Sequence, residues 1–218
     1  MHSELVSYVN QSPNRTSPRR AKIRKLTVHH TAAQTTLEAL GALFADPKRQ
    51  ASANYGIDSD GRIACFVEEE DRAWTSGNRE NDMQAITIEV INCGGGPEWP
   101  VSEQAWKALV ALCADICKRY GFRPEFTGDQ KGSLTLHKYF QPTACPGPYL
   151  EARMPRLEQE VKALLDGEKQ KTRFYRVQVG AFRDHALAQA FCEKLQKAGY
   201  ADAFVQTVTR EEGGAHDQ

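Results

Sequence analysis

Two histidines and one cysteine, His29, His137 and Cys145, are the residues of this 218-residue chain whose types best suit a shared metal site. His137 and Cys145 are eight positions apart in LTLHKYFQPTACPGP, where two prolines stiffen a returning loop. His29 ends a predicted strand 108 positions upstream. Two imidazoles and one thiolate suit Zn²⁺, and three protein ligands leave a fourth tetrahedral position for water, as in catalytic zinc sites. Spacing alone leaves open whether the three meet.

Glu89 is a carboxylate inside the apolar run AITIEVIN of residues 85–92. A charged side chain in such a run is costly to bury without a partner. The pattern therefore indicates either a general base or a structural partner of a backbone or arginine group.

Three strands and a hairpin are predicted to position these residues. Alternating or continuous apolar residues predict strands over 23–29, 85–92 and 134–137. The turn sequence Asp58-Ser59-Asp60-Gly61 predicts a hairpin between 55–57 and 62–67.

Helices are predicted in three segments. Thr35-Thr36-Leu37-Glu38 has the form of a capping box and opens a helix to about Ala45. Ser102 caps the clearest helix, which ends before Gly121, and Cys113 and Cys117 on its apolar stripe are interpreted as core residues. A third helical segment starts at Pro148 and is interrupted near Pro155.

Composition excludes several classes of protein. The 28 basic and 28 acidic residues cancel, which disfavours a broad basic surface for nucleic acid or anionic membrane. No apolar run reaches the roughly 20 residues of a membrane span, and the start lacks the apolar core of a secretory signal peptide. The six cysteines do not cluster as a disulfide framework, so reduced thiols are expected.

Several ordered motifs resemble the zinc-dependent N-acetylmuramoyl-L-alanine amidases, the family of peptidoglycan recognition proteins and phage amidase endolysins. They are TVHHTA, SANYGI, AITIEV and TACPG with its upstream histidine, within 22–165. The resemblance implies an α/β fold, with a mixed central β-sheet flanked by helices on both faces and Zn²⁺ in a surface groove. It also implies hydrolysis of the amide between the lactyl group of N-acetylmuramic acid and L-alanine in peptidoglycan.

The resemblance also assigns roles to individual residues. The implied metal ligands are His29, His137 and Cys145, and His29 is preferred to His30 because adjacent strand residues face opposite ways. The implied catalytic residues are Glu89, Tyr55 and Thr143, and the implied substrate-binding residues are Trp74, Asn54 and His30. Tyr55 is alternatively a strand aromatic, Trp74 a packing residue, and His30 a ligand or packing residue. Thr143 stands where some members carry lysine, so it can donate a hydrogen bond but supplies no charge.

The C-terminal segment FYRVQVGAFRDHALAQAFCEKLQKAGYADAFV resembles the SPOR module, which binds peptidoglycan glycan strands. We predict a catalytic domain over 1–166, a linker over 167–172 and a partial module over 173–218. The partial module is predicted as a small βαβ unit, with a strand through Tyr175, Val177 and Val179, a helix capped by Asp184, and a strand over 203–208. Because this is half of the usual module, two copies are expected to pair as a weak homodimer; the alternative is packing on the chain's own catalytic domain.

The resulting hypothesis is a phage or prophage endolysin that acts on the bacterial cell wall. It is expected to be made in the host cytoplasm without a signal peptide and released by a holin, with a chromosomal autolysin as the variant. Two other classes remain: a non-catalytic peptidoglycan-binding protein of the same fold, and a thiol hydrolase with Cys145 as nucleophile and His137 as base. The thiol hydrolase explains neither His29 nor Glu89.

Overall fold

A six-stranded mixed sheet is the centre of this computed structural model, which describes residues 1–171 and 177–208, with backbone alone for 168–171. The strands lie in the order β1 (Tyr8–Val9), β5 (Ile63–Cys65), β4 (Tyr55–Ile57), β7 (Ala85–Val90), β3 (Lys25–His30) and β8 (Leu134–Leu136). The β4–β5 hairpin is antiparallel and the other neighbours are parallel. Two further strands, β2 (Arg15–Thr16) and β6 (Arg72–Ala73), form a separate antiparallel pair.

Helices cover both faces of the sheet. They are α1 (Leu37–Ala45), α2 (Arg79–Gln84), α3 (Glu103–Tyr120), α4 (Gly147–Glu151) and α5 (Met154–Lys171), with 3₁₀ turns at Pro47–Arg49 and His137–Tyr139. The larger core joins α3 and α5 to one face, and a smaller cluster around Phe66 joins α1 to the other. The predicted α/β class with a mixed central sheet flanked by helices is confirmed.

The predicted helix boundaries follow from their caps. Ser102 Oγ accepts from the Ala105 amide at 3.0 Å, and α3 ends at Gly121 with φ +71°, a conformation that glycine adopts without strain. At α1 the cap is Thr36 and not Thr35, because the Thr36 hydroxyl accepts from the Ala39 amide.

Strand alternation separates an apolar face from a polar face. On β3, Leu26 and Val28 belong to the core with α3 and α5. Thr27 and His29 therefore point to the opposite face. Thr27 is buried there and accepts from the side chain of Asn81 on α2.

The chain forms two compact units, Met1–Thr172 and Arg173–Gln218. In the second, α6 (His185–Lys197) begins at Asp184, as predicted. The two predicted strands are wrong over the described residues: Val177, Val179 and 203–208 are not in a strand, and Tyr175 lies outside the described residues. Val177 and Val208 are 82% and 70% exposed, because one short helix offers too little surface to bury two strands.

The predicted linker over 167–172 is corrected in part, since α5 continues to Lys171. Among the described residues, no helix combines the length and apolar character needed to cross a membrane.

Candidate metal centre

Each of three adjacent parallel strands, β7, β3 and β8, carries a threonine that is followed two positions later by a glutamate or a histidine. Thr27 and His29 on β3 pair in register with Thr87 and Glu89 on β7. Thr27 also pairs with Thr135 on β8, so His137 follows β8 at the level of His29. Threonine-x-glutamate and two copies of threonine-x-histidine therefore place three functional groups side by side above a layer of threonines.

The predicted ligands His29, His137 and Cys145 come together. One donor atom from each lies within 4.8 Å of the others. Nδ1 of His29 is 3.7 Å from the Cys145 Sγ, and the imidazole centroids of His29 and His137 are 4.6 Å apart. Tetrahedral zinc bonded to nitrogen and sulfur at its usual lengths separates those two atoms by about 3.5 Å. The donor set thus fits one Zn²⁺ by element type and by spacing.

A buried atom without a partner lies beside these donors. Among the described residues, Oε2 of Glu89 has no hydrogen-bond partner although it is buried. Burial and the neighbouring histidines hold the pKa of His29 well below its usual range, and burial lowers the pKa of His137. Both imidazoles are therefore neutral, which is the form that binds metals.

Glu89 lies beside the histidine of the central strand. Its Oε1 is 3.9 Å from Nδ1 of His29, and 15% of its side chain is exposed. Burial raises the pKa of Glu89 to about 8, opposed by the positive charge of Arg49. A buried carboxylate with a raised pKa beside candidate metal ligands is typical of an acid–base residue.

A chain of hydrogen bonds behind His137 fixes its ring. His137 donates to the carbonyl of Ser76, which counteracts the lowering of the His137 pKa by burial. Asp82 in turn accepts from the amides of Thr75 and Ser76 and from the Ser76 hydroxyl. Such partners orient metal-binding imidazoles and select their tautomer.

The loop that carries Cys145 is anchored to the neighbouring residues. Thr143 Oγ1 accepts from the Cys145 amide at 3.2 Å, so the structure places the Thr143 hydroxyl next to the cluster. The His30 amide donates to Cys145 Sγ at 3.4 Å. Burial and Glu89 raise the pKa of the Cys145 thiol.

His30 itself faces away from the cluster. Its side chain is 7% exposed and its ring packs edge-on against Trp99, with centroids 5.8 Å apart. A Cβ placed on Gly147 would lie 3.0 Å from Cε1 of His30, so the ring fills the space that this glycine leaves. This environment indicates that the His30 ring has a packing role and does not contact the substrate.

Tyr55 is not beside the metal ligands, which corrects the predicted position. It pairs with Ile88 on β7 and belongs to the core with α3, on the face opposite Glu89. Its fully buried hydroxyl accepts from the Ser3 amide at 2.9 Å and donates to the Glu69 carboxylate. The reason is strand parity, because adjacent residues of β4 point to opposite faces.

The side chains of Asn54 and Trp74 also make hydrogen bonds within the protein. Asn54 is fully buried and donates to the Val67 carbonyl, while its oxygen accepts from the Thr87 amide. This corrects its predicted place on the groove surface. Trp74 is half-buried, and its indole N–H donates to Thr16 Oγ1 at 3.0 Å.

Sequence reasoning missed several residues near the cluster: Ser76, Asp82, Arg49 and Trp99. The repeated threonine-x-histidine and threonine-x-glutamate pattern was a usable signal for the parallel register of the three strands. For the four missed residues the sequence offers no such signal, since they lie outside the three strands: Asp82 is on α2, Arg49 is in a 3₁₀ turn, and Ser76 and Trp99 are in loops.

A second group of donors, His2, Cys65 and Glu68, also lies within 4.8 Å. There the Glu68 carboxylate already pairs with the Met1 amine and with His2, and Gln11 donates to Cys65 Sγ. The donors of this second group already bond their neighbours, whereas Oε2 of Glu89 has no partner among the described residues.

Comparison with known proteins gives two sequence-family matches. The N-acetylmuramoyl-L-alanine amidase family matches residues 19–148, and the SPOR domain matches residues 156–209. The SPOR match begins within α5, before the second compact unit. No curated protein matches the chain.

Several solved structures share the fold. PlyL is 18% identical with a TM-score of 0.55, covering 71% of this chain and 95% of its own. A mutant endolysin from Bacillus subtilis is 17% identical with a TM-score of 0.56, covering 71% and 97%. The hydrolase AmiA from Staphylococcus aureus is 16% identical with a TM-score of 0.59, covering 74% and 85%.

Proposed function

Because this chain belongs to the N-acetylmuramoyl-L-alanine amidase family, we propose that it hydrolyses the amide between the lactyl group of N-acetylmuramic acid and L-alanine, with Zn²⁺ held by His29, His137 and Cys145. The observation that carries this proposal is the convergence of these three donors, within 4.8 Å, beside Glu89. When bound, Zn²⁺ supplies a charge that lowers the pKa of a coordinated water to about 7 and polarises a carbonyl.

The chain's own residues supply proton transfer. Glu89 accepts the proton of the attacking water at Oε2, the atom that has no partner among the described residues. Because its pKa is raised, the Glu89 carboxyl group retains this proton near neutral pH and can then donate it to the leaving amine.

Thr143 is proposed to stabilise the developing oxyanion. Its hydroxyl accepts from the Cys145 amide, which fixes the oxygen and leaves its proton to donate. Thr143 carries no charge, so the electrostatic part of this stabilisation belongs to the metal.

The thiol-hydrolase alternative fits the site poorly. A nucleophilic cysteine needs a lowered pKa, whereas burial and Glu89 raise that of Cys145. A metal-free binding protein likewise leaves Oε2 of Glu89, which has no partner among the described residues, without a use.

Purified peptidoglycan, incubated with the full chain with and without a chelator, tests the proposal. We expect new L-alanine amino groups without new reducing sugar ends, loss of this activity on chelation, and recovery with Zn²⁺. Activity that survives complete chelation would contradict zinc dependence, and new reducing ends would indicate glycan cleavage instead.

We propose further that the chain acts as an endolysin of phage or prophage origin and reaches the wall after holin-type release. The endolysin among the structures of the same fold supports this assignment. Lysis of a host expressing the chain with a holin, and none with the chain alone, is the expected result. Lysis that does not depend on the holin would favour an autolysin.

The second unit is proposed to bind glycan strands and to pair weakly with a second copy. The SPOR match supports wall binding, and the exposed apolar residues of the unit, Val177, Phe204 and Val208 among them, support pairing. A monomeric mass by light scattering across micromolar concentrations would contradict pairing.

A further inference from the structure

Trp99 lies against both chain segments that carry the cluster. Its ring meets the edge of the His30 imidazole at a centroid distance of 5.8 Å, one residue from His29. A Cβ on Gly147 would lie 3.4 Å from the Cβ of Trp99, two residues after Cys145. Trp99 is half-buried, so part of its side chain is exposed, on a loop that packs against the residues next to two of the proposed ligands.

The backbone of Trp99 is held in an unfavourable conformation. Its φ is +52°, in the left-handed region that a bulky residue seldom adopts. Two hydrogen bonds hold it there, since Asn92 Nδ2 donates to the Trp99 carbonyl at 2.7 Å and the Trp99 amide donates to Gly95. Strain of this kind concentrates at binding and catalytic sites, where the surrounding structure maintains it.

The indole N–H distinguishes Trp99 from the other two tryptophans. Trp74 donates to Thr16 and Trp106 donates to Glu160 at 2.8 Å. Among the described residues, no acceptor is bonded to the N–H of Trp99. A half-exposed tryptophan with a free donor offers both an apolar ring face and a polar group to a ligand.

We propose that Trp99 binds the pyranose ring of the N-acetylmuramic acid residue next to the scissile amide, which rests on the proposed function. The C–H face of the sugar would cover the indole ring, and a sugar hydroxyl or acetamide oxygen would accept from its N–H. The exposed carboxylate side chain of Glu98 precedes Trp99, so this rim disfavours the carboxylates of the stem peptide. Trp99 thus takes the saccharide-binding role predicted for Trp74.

Two substrates that carry the same peptide test this assignment. One is an N-acetylmuramoyl peptide, and the other is the peptide acylated by lactate, which lacks the pyranose ring. W99F keeps most of the packing and removes the donor, and W99A removes the ring. We expect KM for the muramoyl peptide to rise about threefold to tenfold in W99F and more in W99A, as loss of one hydrogen bond predicts. KM for the lactoyl peptide should stay at the wild-type value in W99F.

W106F, at a core tryptophan whose indole donates to Glu160, is the matched control and should leave KM for both substrates unchanged. Zinc content and thermal unfolding verify that each variant is folded and loaded. Unchanged KM in W99F and W99A, or an equal rise for both substrates, would overturn the assignment to the sugar.

Failure of the proposed function is separable from failure of this inference. If zinc-loaded wild-type protein hydrolyses neither substrate, binding of the muramoyl peptide is compared by calorimetry. Weaker binding to W99F than to wild-type protein would still support a Trp99 saccharide contact, and equal binding, or no binding to wild-type protein, would overturn it.

Discussion

His29 and Glu89 occupy the same register position on neighbouring parallel strands, and Nδ1 of His29 lies 3.9 Å from Oε1 of Glu89. This relationship places a carboxylate against the imidazole proposed to bind the metal, without any loop being involved. Because both residues lie on the regular sheet, their separation depends on backbone hydrogen bonding. The proposed proton acceptor and the first proposed metal ligand are therefore positioned rigidly.

Glu89→Gln tests the carboxylate as the proton acceptor. The amide keeps the size of the side chain but cannot accept a proton at neutral pH. We expect one Zn²⁺ per chain to remain and kcat to fall by about 10²–10⁴-fold, the usual contribution of a general base. Zinc content by mass spectrometry and turnover on purified muropeptide measure the two effects.

Glu38 provides the control, because its exposed carboxylate pairs with Arg62 and not with any residue of the cluster. Glu38→Gln should leave kcat unchanged. A fully active Glu89→Gln variant would remove the carboxylate from the mechanism.

Cys145→Ser tests the thiolate as a metal ligand. A hydroxyl is a much weaker ligand for Zn²⁺ than a thiolate. Loss of a residue that only hydrogen-bonds to a ligand costs roughly 10–100-fold in zinc affinity. We therefore expect Cys145→Ser, which replaces a ligand itself, to lower zinc affinity by more than this. Competition with a zinc-binding dye measures the affinity directly. Activity should return partly at high Zn²⁺ concentration.

Cys113, buried on α3 away from the cluster, is the matched control. Cys113→Ser should destabilise the core but leave zinc affinity unchanged. Equal zinc affinity in wild-type and Cys145→Ser protein would exclude Cys145 from the ligand set.

The sequence predicted those parts of the fold that local signals determine. Ser102 and Gly121 bound α3 as expected, and the turn at residues 58–61 joins the predicted hairpin. Residue types and spacing left open whether His29, His137 and Cys145 meet; the resemblance to the amidases implied that they are the ligands, and the structure brings them together.

Strand parity and loop placement were beyond the sequence. All three residues of β4 are buried, so alternation of polar and apolar residues did not reveal that Tyr55 faces α3. Trp99 lies on a loop whose path depends on hydrogen bonds such as that from Asn92. In the second unit, the apolar alternation of Val177 and Val179 predicted a strand that has no neighbour to pair with among the described residues.

Tyr55→Phe distinguishes a structural from a catalytic tyrosine. Removing the hydroxyl leaves the Ser3 amide without its acceptor and takes one donor from buried Glu69. The free energy of unfolding should fall by about 1–3 kcal/mol, whereas kcat should stay near the wild-type value. Urea unfolding and turnover measure each, and a large loss of kcat in folded, zinc-loaded protein would return Tyr55 to the mechanism.

Asp82→Asn tests the support behind His137. The carboxylate accepts from two amides and from the Ser76 hydroxyl, and an amide side chain cannot accept all three bonds with the same geometry. Because the Ser76 carbonyl accepts from His137, zinc affinity should fall by about tenfold, within the range for such supporting residues.

The same variant has a pH-dependent effect on stability. Burial raises the pKa of Asp82 in the folded state despite its hydrogen bonds. The folded state therefore binds the proton more tightly than the unfolded state, and this stabilisation is complete below the unfolded pKa and is lost as pH rises through the folded pKa. Asp82→Asn has no such proton, so its stability relative to wild-type protein should increase across that rise in pH. Urea unfolding of the zinc-free proteins from pH 3.5 to 7 measures the difference, and a constant difference would show that Asp82 has the same pKa in both states.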